Sequence, residues 1–180
     1  MKVIKAKTAG FCFGVKRAVD TVYKQVDTKC GQIYTYGPII HNEEVIKDMR
    51  DKGVIVLRSE EDLDMISQGT VIIRSHGVEK RIYEKIEQKG LRIVDATCPF
   101  VKKIHNIVSE KSGEGFHIII IGNPEHPEVV GIKGWAKDNV TVIQSAEDAE
   151  CFTADRKEKI CIVSQTTFNY NKFQELVEII

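Results

Sequence analysis

The stretch Cys12-Phe13-Gly14-Val15-Lys16-Arg17 returns as Cys98-Pro99-Phe100-Val101-Lys102-Lys103, 86 residues further on. Three more blocks follow in the same order. His41-Asn42-Glu43 is answered by His126-Pro127-Glu128 at an offset of 85 residues. Val54-Ile55-Val56-Leu57-Arg58-Ser59 is answered by Val140-Thr141-Val142-Ile143-Gln144-Ser145 at 86, and Ile72-Ile73-Arg74-Ser75-His76 by Ile162-Val163-Ser164-Gln165-Thr166 at 90. One order at nearly one offset marks an internal repeat. We expect two related units, 1–96 and 97–180, each opening with a cysteine at a helix start and carrying a histidine and a carboxylate after a strand. The same register puts a third opening cysteine about eight residues past Ile180, so a third unit is expected that this chain lacks.

The segments around the blocks alternate in character. Strand-like runs fall at 3–6, 33–36, 54–57, 71–74, 92–94, 117–121, 140–143 and 160–163, and helical stretches at 15–25, 43–52, 80–89, 101–111 and 169–179. Alternation predicts an α/β fold of small repeated units with mostly parallel sheets, because parallel neighbours need a crossover between them. In such open sheets ligands bind beyond the carboxyl ends of the strands. Two units facing each other would bring two cysteines and several histidines to one centre.

Composition excludes several classes. With 42% hydrophobic and 29% charged residues, the chain of 180 has the balance of an ordinary globular protein. Lys+Arg and Asp+Glu both number 26, which leaves no positive field for nucleic acid or an acidic membrane surface. No apolar run approaches the roughly 20 residues that span a bilayer. Lysines interrupt the first ten residues, so they do not read as a signal peptide, and a cytoplasmic location is expected. The five cysteines are odd in number and include no CxxC pair, against both a disulfide framework and a zinc ribbon.

Two of those cysteines stand out. Cys12 lies in Ala9-Gly10-Phe11-Cys12-Phe13-Gly14 and Cys98 in Asp95-Ala96-Thr97-Cys98-Pro99, with Thr97 suited to cap a helix and Pro99 to its first turn. A thiolate at a helix start is stabilised by free backbone N–H groups and readied for metal. Cys30, Cys151 and Cys161 lack repeat support, and Cys161 falls inside a strand run. His41, His76 and His126 each sit in a turn beside Gly or Pro at a strand end, where imidazole and backbone donors together suit an anion. His105 and His117 show no such placement. Glu128 could deliver a proton beside a bound anion or serve only the helix dipole. Gln165, Thr166 and Thr167 close the last strand, where a hydroxyl could bind an anion and Thr167 could cap the next helix.

Gly10-Phe11-Cys12-Phe13-Gly14-Val15, Arg74-Ser75-His76-Gly77-Val78, Asp95-Ala96-Thr97-Cys98-Pro99, His126-Pro127-Glu128 and Gln165-Thr166-Thr167 resemble, in order and spacing, the motifs of the 4-hydroxy-3-methylbut-2-enyl diphosphate reductases. The resemblance covers the whole chain. It implies three related α/β units around a 4Fe–4S cluster held by three cysteines, of which Cys12 and Cys98 match two. It implies that His41, His76, His126 and Thr166 bind the substrate and that Glu128 delivers protons. It implies a reductive dehydroxylation to isopentenyl and dimethylallyl diphosphate in the methylerythritol phosphate pathway, with electrons from a donor such as ferredoxin or flavodoxin. The third cysteine belongs to the family's third unit, so this chain alone is expected to be incomplete and inactive. The alternative, a non-catalytic metal or redox-sensing α/β module, gives the three histidines and Thr166 no use. A phosphate-binding hydrolase would leave Cys12 and Cys98 unexplained, and no P-loop pattern occurs.

Overall fold

In the first half of the chain β-branched runs alternate with amphipathic stretches, and the computed structural model, which describes residues 2–28, 31–155 and 157–180, turns them into a parallel sheet. The elements are α1 (Phe13–Thr28), β1 (Ile33–Tyr36), α2 (Glu43–Asp51), β2 (Ile55–Leu57), α3 (Glu60–Asp64), β3 (Thr70–Ile73), α4 (Lys80–Gln88) and β4 (Arg92–Asp95), with strand order β2-β1-β3-β4. The second half repeats the plan. It runs α5 (Pro99–Gly113), β5 (His117–Ile121), α6 (Pro127–Lys133), β6 (Val140–Ile143), α7 (Ala146–Cys151), β7 (Ile160–Ser164) and α8 (Tyr170–Ile179), with order β6-β5-β7. Every pairing is parallel, with Tyr36 opposite Ile73 and Ile121 opposite Ser164.

Both sheets are covered on both faces, which is why their inner strands read as unbroken apolar runs. Alternate residues of a strand point to opposite faces. Ile72 packs with Ala18 and Val22 of α1 and Met49 of α2, while Val71 and Ile73 pack with Leu63 of α3 and Ile82 and Ile86 of α4. In the second sheet Ile118 and Ile120 meet Val108 of α5 and Ile132 of α6, and Ile119 and Ile121 meet Ala149 of α7 and Leu176 of α8. Ile118 to Ile121 are all 0% exposed. Truncating any one to alanine would cost about 2–5 kcal/mol. In α1 the buried Gly14, Ala18 and Val22 recur every fourth residue, the stripe that lets a helix lie flat on a sheet.

Several local expectations are corrected. Residues 3–6 form no strand; they are exposed and pair with no strand of the described residues, since Lys2, Lys5 and Lys7 break up a short apolar stretch. α3 and α7 lie outside the expected helical stretches, being too short for a periodicity to register; Ser59 and Ser145 cap them, the latter in a capping box with Asp148. Cys98, not Thr97, is the N-cap of α5, and Asn169, not Thr167, that of α8. No helix of the described residues is long and apolar enough to cross a membrane.

Candidate functional site

The sheet orders fix where a crevice can open. Around β1 the chain turns first to β2 and then back to β3; α2 leaves on one face and α4 on the other. The loops after β1 and β3 therefore diverge at a topological switch point, where open sheets take their ligands. His41 lies in the first of those loops and His76 in the second. In the second sheet the switch point lies between β5 and β7, and its loops carry His126 and Thr166.

The structure brings the two switch points together. The ring centroids of His41 and His76 lie 4.8 Å apart, of His76 and His126 5.5 Å, and of His41 and His126 6.3 Å. One ring nitrogen from each falls within 4.8 Å of the others, His41 being exposed and the other two half-buried. His126 caps α6, its Nδ1 accepting from the Glu128 N–H at 3.1 Å. An accepting Nδ1 places the proton of the neutral ring on Nε2, so His126 offers the cluster a donor. That favours an anion over a metal ion, which needs a lone pair from each ring. Burial first, then the neighbouring His41, Arg74 and His126, lower the His76 pKa from 6.5 to about 4. An anion placed among the rings would reverse the electrostatic part of that shift.

Beside the cluster Glu128 is 2% exposed in the first turn of α6. Thr166 donates to both its oxygens, from the backbone N–H to Oε1 at 2.6 Å and from Oγ1 to Oε2 at 2.9 Å. The carboxyl thus joins the loops after β5 and β7. Gln165 braces the same pair, accepting from the Asn123 N–H at 3.2 Å and donating to Thr167 Oγ1 at 3.0 Å.

Cys12 and Cys98 occupy equivalent places. Each is the residue before its helix, and its carbonyl takes the first helical bond, from Lys16 N–H and Lys102 N–H respectively, both at 2.9 Å. The starts of α1 and α5 lie against each other: a Cβ added at Gly14 would stand 2.7 Å from Cys98 Sγ. Arg17 of α1 holds them there, donating to Thr97 O at 2.8 Å and Asp95 O at 3.2 Å. Cys98 N–H in turn donates to Ser75 O at 2.9 Å, and Ser75 Oγ to Ile39 O at 3.1 Å, so the thiol and the loops of His41 and His76 share one hydrogen-bonded frame. Cys12, Cys98, Cys151 and Cys161 are all free. The donor chemistry fits part of the ligand set of an iron–sulfur cluster: two free thiols at helix starts, with a bare glycine beside one.

Other candidates lie elsewhere. Cys161 is in β7 against the second sheet's core, Cys151 is exposed at the end of α7, and Cys30 lies outside the described residues. His117 is bound to Glu158 and Thr141 in β5. A cavity of about 630 Å³ opens instead along α2 and the edge of β2, its charged lining being Glu43, Glu44, Lys47, Arg50, Arg58 and Arg74. It contains none of the candidate residues, and cations along an unpaired edge strand have a simpler use in discouraging a second chain from adding to it. His105 had no sequence signal; it is buried in α5 directly beneath the turn that carries His76.

Residues 3–180 match the family model described as LytB protein. The chain belongs to the LytB family. The 4-hydroxy-3-methylbut-2-enyl diphosphate reductase of Caldanaerobacter subterraneus subsp. tengcongensis is 45% identical over 181 residues, covering 100% of this chain and 62% of its own length. The corresponding protein of Clostridioides difficile is 43% identical over 178 residues, covering 98% and 63%. Among solved structures, the E-1-hydroxy-2-methyl-but-2-enyl-4-diphosphate reductase of Plasmodium falciparum superposes with a TM-score of 0.89 at 31% identity, over 96% of this chain and 54% of that one. A second LytB-type structure, described as the terminal enzyme of the non-mevalonate pathway, gives 0.81 at 38% identity, over 98% and 63%. The chain thus spans less than two thirds of the length of these relatives.

Proposed function

We propose that this chain carries part of the active site of a 4-hydroxy-3-methylbut-2-enyl diphosphate reductase, built from two related units, 1–96 and 97–180, and acting in the cytoplasm. The observation that carries this reading is the imidazole cluster of His41, His76 and His126, with a donor on His126 Nε2, set beside the Glu128–Thr166 pair. Donors converging from two switch points suit a diphosphate, and a buried carboxyl next to it suits proton delivery.

In this reading His41, His76 and His126 bind the diphosphate oxygens through their ring N–H groups. Thr166 orients the Glu128 carboxyl and is within reach of the substrate hydroxyl. Glu128 gives the proton that lets the hydroxyl leave as water, and is recharged from solvent or from the substrate's own diphosphate. Cys12 and Cys98 would hold part of a 4Fe–4S cluster, whose chemistry when bound is a Lewis-acidic iron and a route for two electrons. Two electrons and two protons balance loss of water from the allylic alcohol, giving isopentenyl or dimethylallyl diphosphate. The electrons come from a small carrier of the ferredoxin or flavodoxin class. Two thiols are too few to retain such a cluster, so the 180 residues alone should turn over negligibly.

The test is anaerobic reconstitution with iron and sulfide, iron counting, and turnover with a strong artificial reductant. The intact protein should hold a cluster and reduce the allylic diphosphate, and Cys98→Ser should lose both. An unchanged cluster signal in Cys98→Ser would remove Cys98 from the ligand set. A stoichiometric cluster with full turnover in residues 1–180 alone would overturn the claim that these residues are incomplete.

A further inference from the structure

Where the two sheets meet lies a buried imidazole that the proposed chemistry leaves unused. His105, midway along α5, is 1% exposed, and its Nε2 has no hydrogen-bond partner among the described residues. Burial lowers its pKa from 6.5 to about 4, so the ring is neutral at physiological pH. What it does have is contact. It stacks on Trp135 with centroids 5.1 Å apart and planes at 18°. Trp135 Nε1 donates to Val78 O at 2.9 Å, and its ring meets Tyr83 edge-on at 5.7 Å. The Tyr83 hydroxyl lies 3.2 Å from Thr97 Oγ1, one residue before Cys98.

The edge of the His105 ring presses beneath Gly77. A Cβ there would stand 2.5 Å from His105 Cε1 and 3.2 Å from Thr97 Cγ2, and the φ of +70° is one that glycine adopts freely. Gly131 of α6 closes on the same turn, where a Cβ would come within 3.6 Å of His76 O and Gly77 C. The turn after β3 is therefore gripped between α5 with Trp135 and the helix α6, which begins at His126.

We propose that His105 is a positioning residue: stacked on Trp135 and pressed beneath Gly77, its ring sets the height of the His76 turn against His126 and so the spacing of the imidazole cluster. The role rests on the reading of that cluster as the anion site, but its geometric part stands apart from it. Shape and stacking carry the role, since the ring nitrogen Nε2 has no hydrogen-bond partner among the described residues.

The experiment uses His105→Leu and His105→Phe in the intact protein. Side-chain nitrogen–proton spectra follow the rings of His76 and His126, calorimetry follows inorganic pyrophosphate, and a melt checks cooperative folding. Leucine should displace the His76 and His126 resonances and weaken pyrophosphate at least tenfold in a cooperatively folded protein. Phenylalanine, which restores a flat ring, should recover most of both. Should the leucine variant not fold, Trp135→Leu, which removes the stack and leaves the ring, is read in its place. Parent-like resonances with pyrophosphate affinity within twofold, whatever the melting temperature, would overturn the proposal. Failure of the parent to bind pyrophosphate would count against the anion reading alone, because the resonances still decide the role of His105.

Discussion

Gly77→Ala tests the seam between the sheets with a single methyl group. Two costs add. A non-glycine residue at φ +70° costs about 1–2 kcal/mol. The new Cβ, 2.5 Å from His105 Cε1, must push a ring already stacked on Trp135, an overpacking cost of about 1–3 kcal/mol. The stiffer unfolded chain returns about 0.4–1 kcal/mol. The net loss is about 1–5 kcal/mol, centred near ~3 kcal/mol. Gly90 supplies the control: its φ is +67°, and a Cβ there would meet nothing within 4 Å. Gly90→Ala should carry the backbone cost alone and lose about 1 kcal/mol. Urea unfolding of both variants of the intact protein separates the steric part from the conformational part. Equal destabilisation of the two would refute the claim that the ring of His105 fills the space beneath Gly77.

Two further outcomes follow from the same geometry. Glu128→Gln replaces one acceptor of the Thr166 bonds with a donor, so it should destabilise by about 1–3 kcal/mol. It should also slow turnover far more than it weakens substrate binding, because a carboxamide cannot deliver a proton; near-normal turnover with weakened binding would make Glu128 a binding residue instead. Stability should depend on pH through His105 and His76. Each has a pKa of about 4 folded against 6.5 unfolded, so the unfolded chain takes up the protons first as pH falls, and stability is lost between pH 6.5 and 4, the share of His105 being up to about 3 kcal/mol. Urea midpoints from pH 7 to 4 should fall less steeply in His105→Leu than in the parent, and identical slopes would show that His105 is not among the groups responsible.

The repeat of Cys12 and Cys98, the α/β alternation and the placement of His41, His76 and His126 in strand-end turns were legible in the chain, because these are patterns of sequence. An inner strand buried on both faces must be apolar throughout, as at 118–121, and a tight turn after such a strand favours glycine or proline, as at Gly77 and Pro124. The short α3 and α7 were not legible, since five or six residues hold too little of a helical period. Nor were residues 3–6, whose apolar character found no neighbouring strand to pair with. Only the packing of the two sheets decided that the three imidazoles converge, that Thr166 holds both oxygens of Glu128, and that His105 lies under Gly77. Those contacts join residues 28 to 85 positions apart. No local preference encodes them; they exist because each sheet reverses direction at its first strand and the two reversal points are pressed together by the cores behind them.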